Sequence, residues 1–371
     1  MKTRAAILWE VGKDWSVEEI DLDPPKAGEV LVKLVASGLC HSDEHLVTGD
    51  IPAPMPVIGG HEGAGVVEEV GPGVDWLVPG DHVIFGFIPA CGRCPSCASG
   101  HENLCDLGMY LLEGKQISDH TSRHHAHDTD LGLMCLLGTF AERTVVNEAS
   151  CIKVEPDVPL GVACLLGCGV VTGWGSAVYA ADVTPGEDVA VVGIGGIGIN
   201  AVQGARYAGA KNVVAIDPLE NKREKAMELG ATHAFATAEE AQEAITQMTR
   251  GQGADSAILT VGLMTAEVVG AGFNAVGKDG IVVLTGLNKL LEPSIQLPGT
   301  ILTLFRKTVK GSLFGDCNPT TDIPKILGLY QAGDIKLDEI ITRTYTLDEV
   351  NEGYEDLLAG KNIRGIVVHE H

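Results

Sequence analysis

Gly193, Gly195 and Gly198, with Gly196 and Ile197 inside the motif, form G-x-G-x-x-G where the apolar run DVAVVG meets a helix-length stretch reaching about Gly209. A strand that runs straight into a glycine turn and a helix opens a βαβ unit, so the chain is expected to contain a parallel sheet. The first glycine permits the tight turn, the second lets backbone approach a pyrophosphate, and the third lets helix and strand pack closely. The helix amino terminus then presents N–H groups and a positive dipole end to the phosphates. Asp217 ends the next strand-like run, NVVAI, nineteen residues past Gly198. An acid there accepts from ribose hydroxyls and repels a 2′-phosphate, which favours NAD over NADP. Lys222 could face the same ribose, although a solvated helix face reads equally well. In isolation the glycines would also suit an ordinary βα turn.

The alternation continues. Glu220 to Leu229 is charged and helix-forming with Gly230 as its cap, Ala257 to Val261 and Ile281 to Leu284 are apolar strand runs, and Leu347 to Leu358 reads as a helix capped by Thr346. The first 150 residues differ in texture: EVLVKLVA from Glu29 and GVVEEV from Gly65 read as strands, with glycine- and proline-rich turns between them. At 371 residues the length suits about two domains. Glycine, 47 of those residues, points to many tight turns.

With 26 basic and 50 acidic residues the formal charge is −24, and no basic run offsets it, which argues against nucleic acid. No apolar window reaches the length of a membrane span, and the segment Met1 to Trp15 is too weakly apolar for a signal peptide, so the expectation is a globular cytoplasmic chain without a membrane partner. Ten cysteines in a reducing compartment suggest metal binding or catalysis before disulfides. Cys91, Cys94, Cys97 and Cys105 follow C-x2-C-x2-C-x7-C. Four thiolates can enclose one tetrahedral zinc with no vacancy, a staple for a loop with little core of its own. An iron–sulfur cluster is the rival, since C-x2-C-x2-C also opens ferredoxin sites.

Other soft and imidazole donors are scattered: Cys40 in GLCHSDEH, His61 with Glu62 in GGHEGAG, and Cys168 in LLGCGVVTGWG. Each alone has an ordinary reading, and spacing cannot bring them together. Taken in order with the four-cysteine cluster, the glycine motif and TVKGSLFG, they closely resemble the zinc-dependent medium-chain alcohol dehydrogenases over essentially the whole chain. Within that family the chain looks most like the nicotinoprotein, nitrosoaniline-dependent branch, in which NAD stays bound and an external carrier re-oxidises it.

The resemblance implies that Cys40, His61 and Cys168 hold a catalytic zinc whose fourth place is open to water or an alcohol or aldehyde, with Glu62 as a nearby, transient ligand. Asp43 would orient His61, and Ser42 and His45 would relay the alcohol proton to solvent. Thr172 would border the nicotinamide, and Arg364 would pair with the pyrophosphate. His41 stands where better-known relatives carry Arg, so a weaker contact to the same phosphates is implied. Phe87 would line the substrate channel, with core packing as the alternative.

The implied architecture is α/β: a GroES-like, mostly antiparallel β catalytic domain over residues 1–169, a doubly wound parallel Rossmann domain over 170–312, and a return segment over 313–371, assembled as a homodimer or homotetramer. The active site would lie in the cleft between the domains. His120, His124, His125 and His127 in SDHTSRHHAHD read as a solvated loop, with a channel mouth or a carrier entry as the sharper alternative. Thiol-dependent formaldehyde oxidation is the neighbouring activity, but Ile51 replaces the acid of that branch, with Asp50 one place earlier. A non-catalytic NAD-binding redox sensor would be expected to lose one of Cys40, His61, Cys168 and Ser42, and all are present.

Overall fold

The run at Glu29–Gly38 is apolar on both faces, and it becomes the strand around which the first unit is organised. Along one edge it pairs antiparallel with Gly63–Val70; along the other it pairs with Arg143–Asn147 and then Arg364–Val368. Residues facing inward from these strands and from His82–Phe85, which pairs with Gly63–Val70, among them Val30, Val32, Leu34, Val67, Val83 and Phe85, form one buried cluster. A computed structural model describes residues 1–290 and 295–371.

This unit comprises Met1–Cys168, Asn318–Gln331 and Leu337–His371. It contains the seven-stranded sheet just introduced and a six-stranded sheet built on Lys2–Leu8 and Ser16–Leu22. Most pairings are antiparallel, as a GroES-like domain requires. The last strands, Ile341–Tyr345 and Arg364–Val368, are parallel to each other and come from the far end of the chain. Between them runs the helix Val350–Leu358, preceded by a 3-10 turn whose capping residue Thr346 exchanges hydrogen bonds with Glu349.

The histidine-rich segment is not the solvated loop expected of it. His124–Ala126 is a strand paired with Ser16–Leu22, and Arg123 and His124 are fully buried. The cause is a charge pair: Arg123 Nη2 and Nε reach the two oxygens of Glu29 at 2.6 and 2.9 Å, with both side chains excluded from water. A planar guanidinium fork satisfies both carboxylate oxygens, so the buried charges are tolerated. Burial also drives the neighbouring His124 imidazole down to about 3, keeping it neutral. His120 and His127 do face solvent.

The second unit, Gly169–Cys317 with Ala332–Lys336, carries six parallel strands in the order His233–Phe235, Asn212–Ile216, Asp188–Val192, Ala254–Leu259, Val276–Leu284 and Thr308–Gly311. Helices Gly196–Tyr207, Glu220–Glu228, Ala238–Met248 and Ala266–Ala275 connect them. Chain order reverses at Asp188–Val192, which makes its carboxyl end the switch point of a doubly wound sheet. Among the described residues no single helix is long and apolar enough to cross a membrane.

Candidate metal centres and dinucleotide site

In the second unit the glycine motif sits at that switch point. Gly193 adopts φ +88°, and a Cβ on Gly198 would fall 1.9 Å from Gly193 O, so the turn excludes a side chain at either place. Gly196 and Ile197 begin the helix, while Gly195, its N-cap, faces open space where a phosphate can approach the backbone. Asp217 is 8 % exposed; its Oδ2 accepts from Ile194 N at 2.8 Å and its Oδ1 from Leu219 N at 2.9 Å. The acid is thereby tied to the glycine turn, and each oxygen keeps a lone pair for a ribose hydroxyl. Lys222 is buried, which removes the solvated-face reading. Arg223, which carries no sequence signal, closes the turn by donating to Asp217 O and Pro218 O, both at 2.8 Å. Thr172 is buried and its hydroxyl has no hydrogen-bond partner among the described residues.

The four-cysteine cluster lies in the first unit. All four Sγ atoms are within 4.8 Å of one another, with Cys91–Cys97 at 4.0 Å and Cys94–Cys105 at 3.9 Å. A tetrahedral zinc with Zn–S bonds near 2.3 Å requires about 3.8 Å between sulfurs. Backbone N–H groups point at the sulfurs: Cys94 N at Cys91, Cys97 N and Asp106 N at Cys94, and Cys91 N at Cys105, at 3.3 to 3.5 Å. Those from Cys97 and Asp106 pull the Cys94 thiol down to about 6, toward the thiolate a metal needs.

Cys40, His61, Glu62 and Cys168 form the second cluster, fully buried, with one ligand atom each inside 4.8 Å. The strand Glu29–Gly38 delivers Cys40 as N-cap of the helix His41–Val47. His61 follows Gly60, held at φ +86°, whose N donates to Asp43 Oδ1 at 2.8 Å. The other oxygen of Asp43 lies 3.0 Å from His61 Nδ1, close enough to pair electrostatically but without hydrogen-bond alignment. Cys168 arrives after the 3-10 turn Cys164–Gly167.

Electrostatics explain why this cluster calls for a cation. A hydrogen bond from Cys168 holds the Cys40 thiol well below its ordinary range against the opposing effect of burial. Burial disfavours a charged His61, yet the Asp43 carboxylate and Cys40 raise it well above its usual value. Burial pushes the Glu62 carboxyl up to about 7, while the Arg364 guanidinium, paired with it, pulls the other way. Among the described residues neither ring nitrogen of His61 has a well-aligned hydrogen-bond partner, an expensive state for a buried imidazole unless a metal takes one of them. Two thiols, an imidazole and a carboxylate form a donor set that fits zinc.

Around this cluster, Ser42 Oγ lies 3.7 Å from Cys40 Sγ and His45 Nδ1 lies 3.3 Å from Asp50 Oδ2. The Phe87 ring packs edge-on against His61, centroids 5.9 Å apart, and also packs against the core. His41 is exposed. Arg364 is 3 % exposed and its Nε has no hydrogen-bond partner among the described residues. Sequence reasoning missed Tyr354, whose hydroxyl donates to Cys40 O at 3.3 Å and comes from the distant carboxy-terminal helix.

Residues 26–157 match the model of the alcohol dehydrogenase GroES-like domain, and residues 196–332 that of the zinc-binding dehydrogenase. The NDMA-dependent alcohol dehydrogenase of Amycolatopsis methanolica is 55% identical over 369 residues, covering 100% of this chain and 99% of that protein. Alcohol dehydrogenase B of Mycobacterium tuberculosis is 49% identical over 368 residues, with 99% and 98% covered. Two solved structures align over 100% of both chains with a TM-score of 0.93: the alcohol dehydrogenase zinc-binding domain protein of Burkholderia ambifaria, at 34% identity, and the benzyl alcohol dehydrogenase of Acinetobacter calcoaceticus, at 30%.

Proposed function

The chain belongs to the zinc-dependent medium-chain alcohol dehydrogenases, and from that premise we propose that Cys40, His61 and Cys168 hold the catalytic zinc for oxidation of alcohols to aldehydes. The observation that carries this reading is the buried donor set around His61, whose ring nitrogens lack aligned partners among the described residues. When bound there, zinc supplies Lewis acidity that favours loss of the alcohol proton and transfer of hydride to the nicotinamide.

The protein's own groups do the rest. Asp43 holds the His61 ring in orientation through Nδ1. Glu62 offers a fourth, exchangeable oxygen, and Arg364 restrains it. Ser42 Oγ relays the alcohol proton toward the His45 imidazole, which exchanges it with solvent. Phe87 borders the alcohol. Gly193, Gly195 and Gly198 cradle the pyrophosphate, Asp217 takes the ribose hydroxyls with Lys222 nearby, Thr172 borders the nicotinamide, and Arg364 and His41 contribute charge toward the phosphates. Cys91, Cys94, Cys97 and Cys105 hold a second zinc that closes their own loop. We infer further that NAD stays bound through turnover and is re-oxidised by an external carrier, and that the enzyme is a cytoplasmic homodimer or homotetramer.

Metal analysis and an absorbance spectrum of freshly purified protein, before cofactor is added, test this. About two zinc ions per chain and near-stoichiometric nicotinamide that survives gel filtration are expected. Cofactor-free protein that turns over with added NAD would overturn the bound-cofactor reading. Preferred turnover of formaldehyde with a small thiol, over plain alcohols, would replace the substrate.

A further inference from the structure

We propose that Asp50 is a positioning residue for His45, fixing the imidazole as the Nδ1–H tautomer so that Nε2 carries the lone pair that takes up the proton. The proposal rests on the relay reading of Ser42 and His45 given above.

The helix His41–Val47 ends abruptly, with Thr48 N bonded back to Glu44 O at 2.9 Å. Gly49, at φ +75°, then reverses the chain, and a Cβ there would meet Val11 Cγ1 at 2.9 Å, so the turn admits little variation. The reversal brings Asp50 to the Nδ1 edge of the His45 ring, with Oδ2 3.3 Å from Nδ1. The same oxygen accepts from Thr48 Oγ1 at 2.9 Å, which pins the carboxylate in place. Ile51 N donates to His45 O at 3.1 Å, so residues 48–51 hold both the ring and the backbone of His45. The side chains of His45 and Asp50 are 9 % and 18 % exposed, so water competes only weakly for this contact. Glu44, on the same helix, also feels the charge of His45 and of Asp50, but the ring contact is the one made by Asp50.

The chemistry follows from the two unlike nitrogens of imidazole. A carboxylate accepts only from N–H, so an acid at Nδ1 places the proton there and leaves Nε2 basic. The same logic lets a buried aspartate orient the base of a hydrolytic triad, where an amide replacement stabilises the wrong tautomer. A separation of 3.3 Å is long for such a bond, as is common before substrate is bound.

In the zinc-loaded, full-length enzyme, Asp50→Asn is expected to slow single-turnover alcohol oxidation about ten- to a hundredfold, the order of a general acid–base contribution, with little change in the half-saturating alcohol concentration. Asp50→Glu should restore most of the rate. The double variant with His45→Gln should be no slower than His45→Gln alone, because both act through one ring. A spectroscopic readout is independent of activity: in solid-state nitrogen spectra of histidine-labelled enzyme at high pH, the His45 signals, identified by their loss in His45→Gln, should show Nδ1 protonated, and Asp50→Asn should move the proton to Nε2. A slow Asp50→Asn enzyme with an unmoved tautomer would reduce Asp50 to a packing role and overturn the proposal. So would an unchanged Asp50→Asn enzyme beside a slow His45→Gln enzyme. If His45→Gln itself turns over normally, the relay reading fails and takes the proposal with it.

Discussion

Cys91, Cys94, Cys97 and Cys105 gather their donors within one short loop, the first two partly exposed and the last two buried, and surround the sulfurs with backbone N–H groups. Cys40, His61 and Cys168 come from a helix cap, a glycine loop and a 3-10 turn far apart in the chain, and meet in a fully buried place that also holds Glu62 and Arg364. The first arrangement spreads negative charge onto the backbone and leaves no ligand position free, so it suits a staple. The second concentrates buried donors and buried charge around His61, a costly state that a cation relieves, and its carboxylate can yield to another oxygen ligand. Soft donors therefore serve structure or chemistry according to what else is buried with them.

The largest expected effect separates the two clusters by function. Cys40→Ser should depress alcohol oxidation by at least about a thousandfold and lower zinc from about two ions per chain to about one. Full activity in that variant would break the distinction. Cys97→Ser should do the reverse. It is expected to cost about 3 kcal/mol or more of stability, read as a lower thermal midpoint, while the still-folded enzyme keeps its turnover and its buried zinc. An unchanged midpoint would show that the loop needs no staple.

The smallest effect sharpens the comparison by separating metal loss from ordinary acid unfolding. His124 is held near 3 by burial, against an ordinary 6.5, so the unfolded chain binds a proton that the folded chain refuses. Its contribution to stability is complete above about 6.5 and is lost as pH falls from there toward 3, amounting to roughly 2 kcal/mol at pH 5. His124→Gln should flatten denaturant-measured stability across that window. Equal acid sensitivity with zinc retained would point to another group.

Much of the second unit was legible locally. The strand runs at Asp188, Asn212, Ala257 and Ile281 each overlap an observed parallel strand, the one from Ala257 running two residues past Leu259, because buried strands leave continuous apolar runs that periodicity detects. The two- and three-residue strands Val57–Ile58 and His124–Ala126 left no such trace, since they are held by their neighbours in the sheet. The histidine-rich segment misled for a related reason: its polar residues read as solvated until a partner is known, and Glu29 lies 94 residues from Arg123.

From its order of residues alone, the chain declared the G-x-G-x-x-G turn, the acid after it and the four-cysteine loop, because each is made from groups that are neighbours along the backbone. Tertiary structure alone decided the meeting of Cys40, His61 and Cys168, the pairing of Arg364 with Glu62 and the reach of Tyr354 to Cys40 O, because those donors are separated by most of a sheet and local spacing carries no information about distances across it.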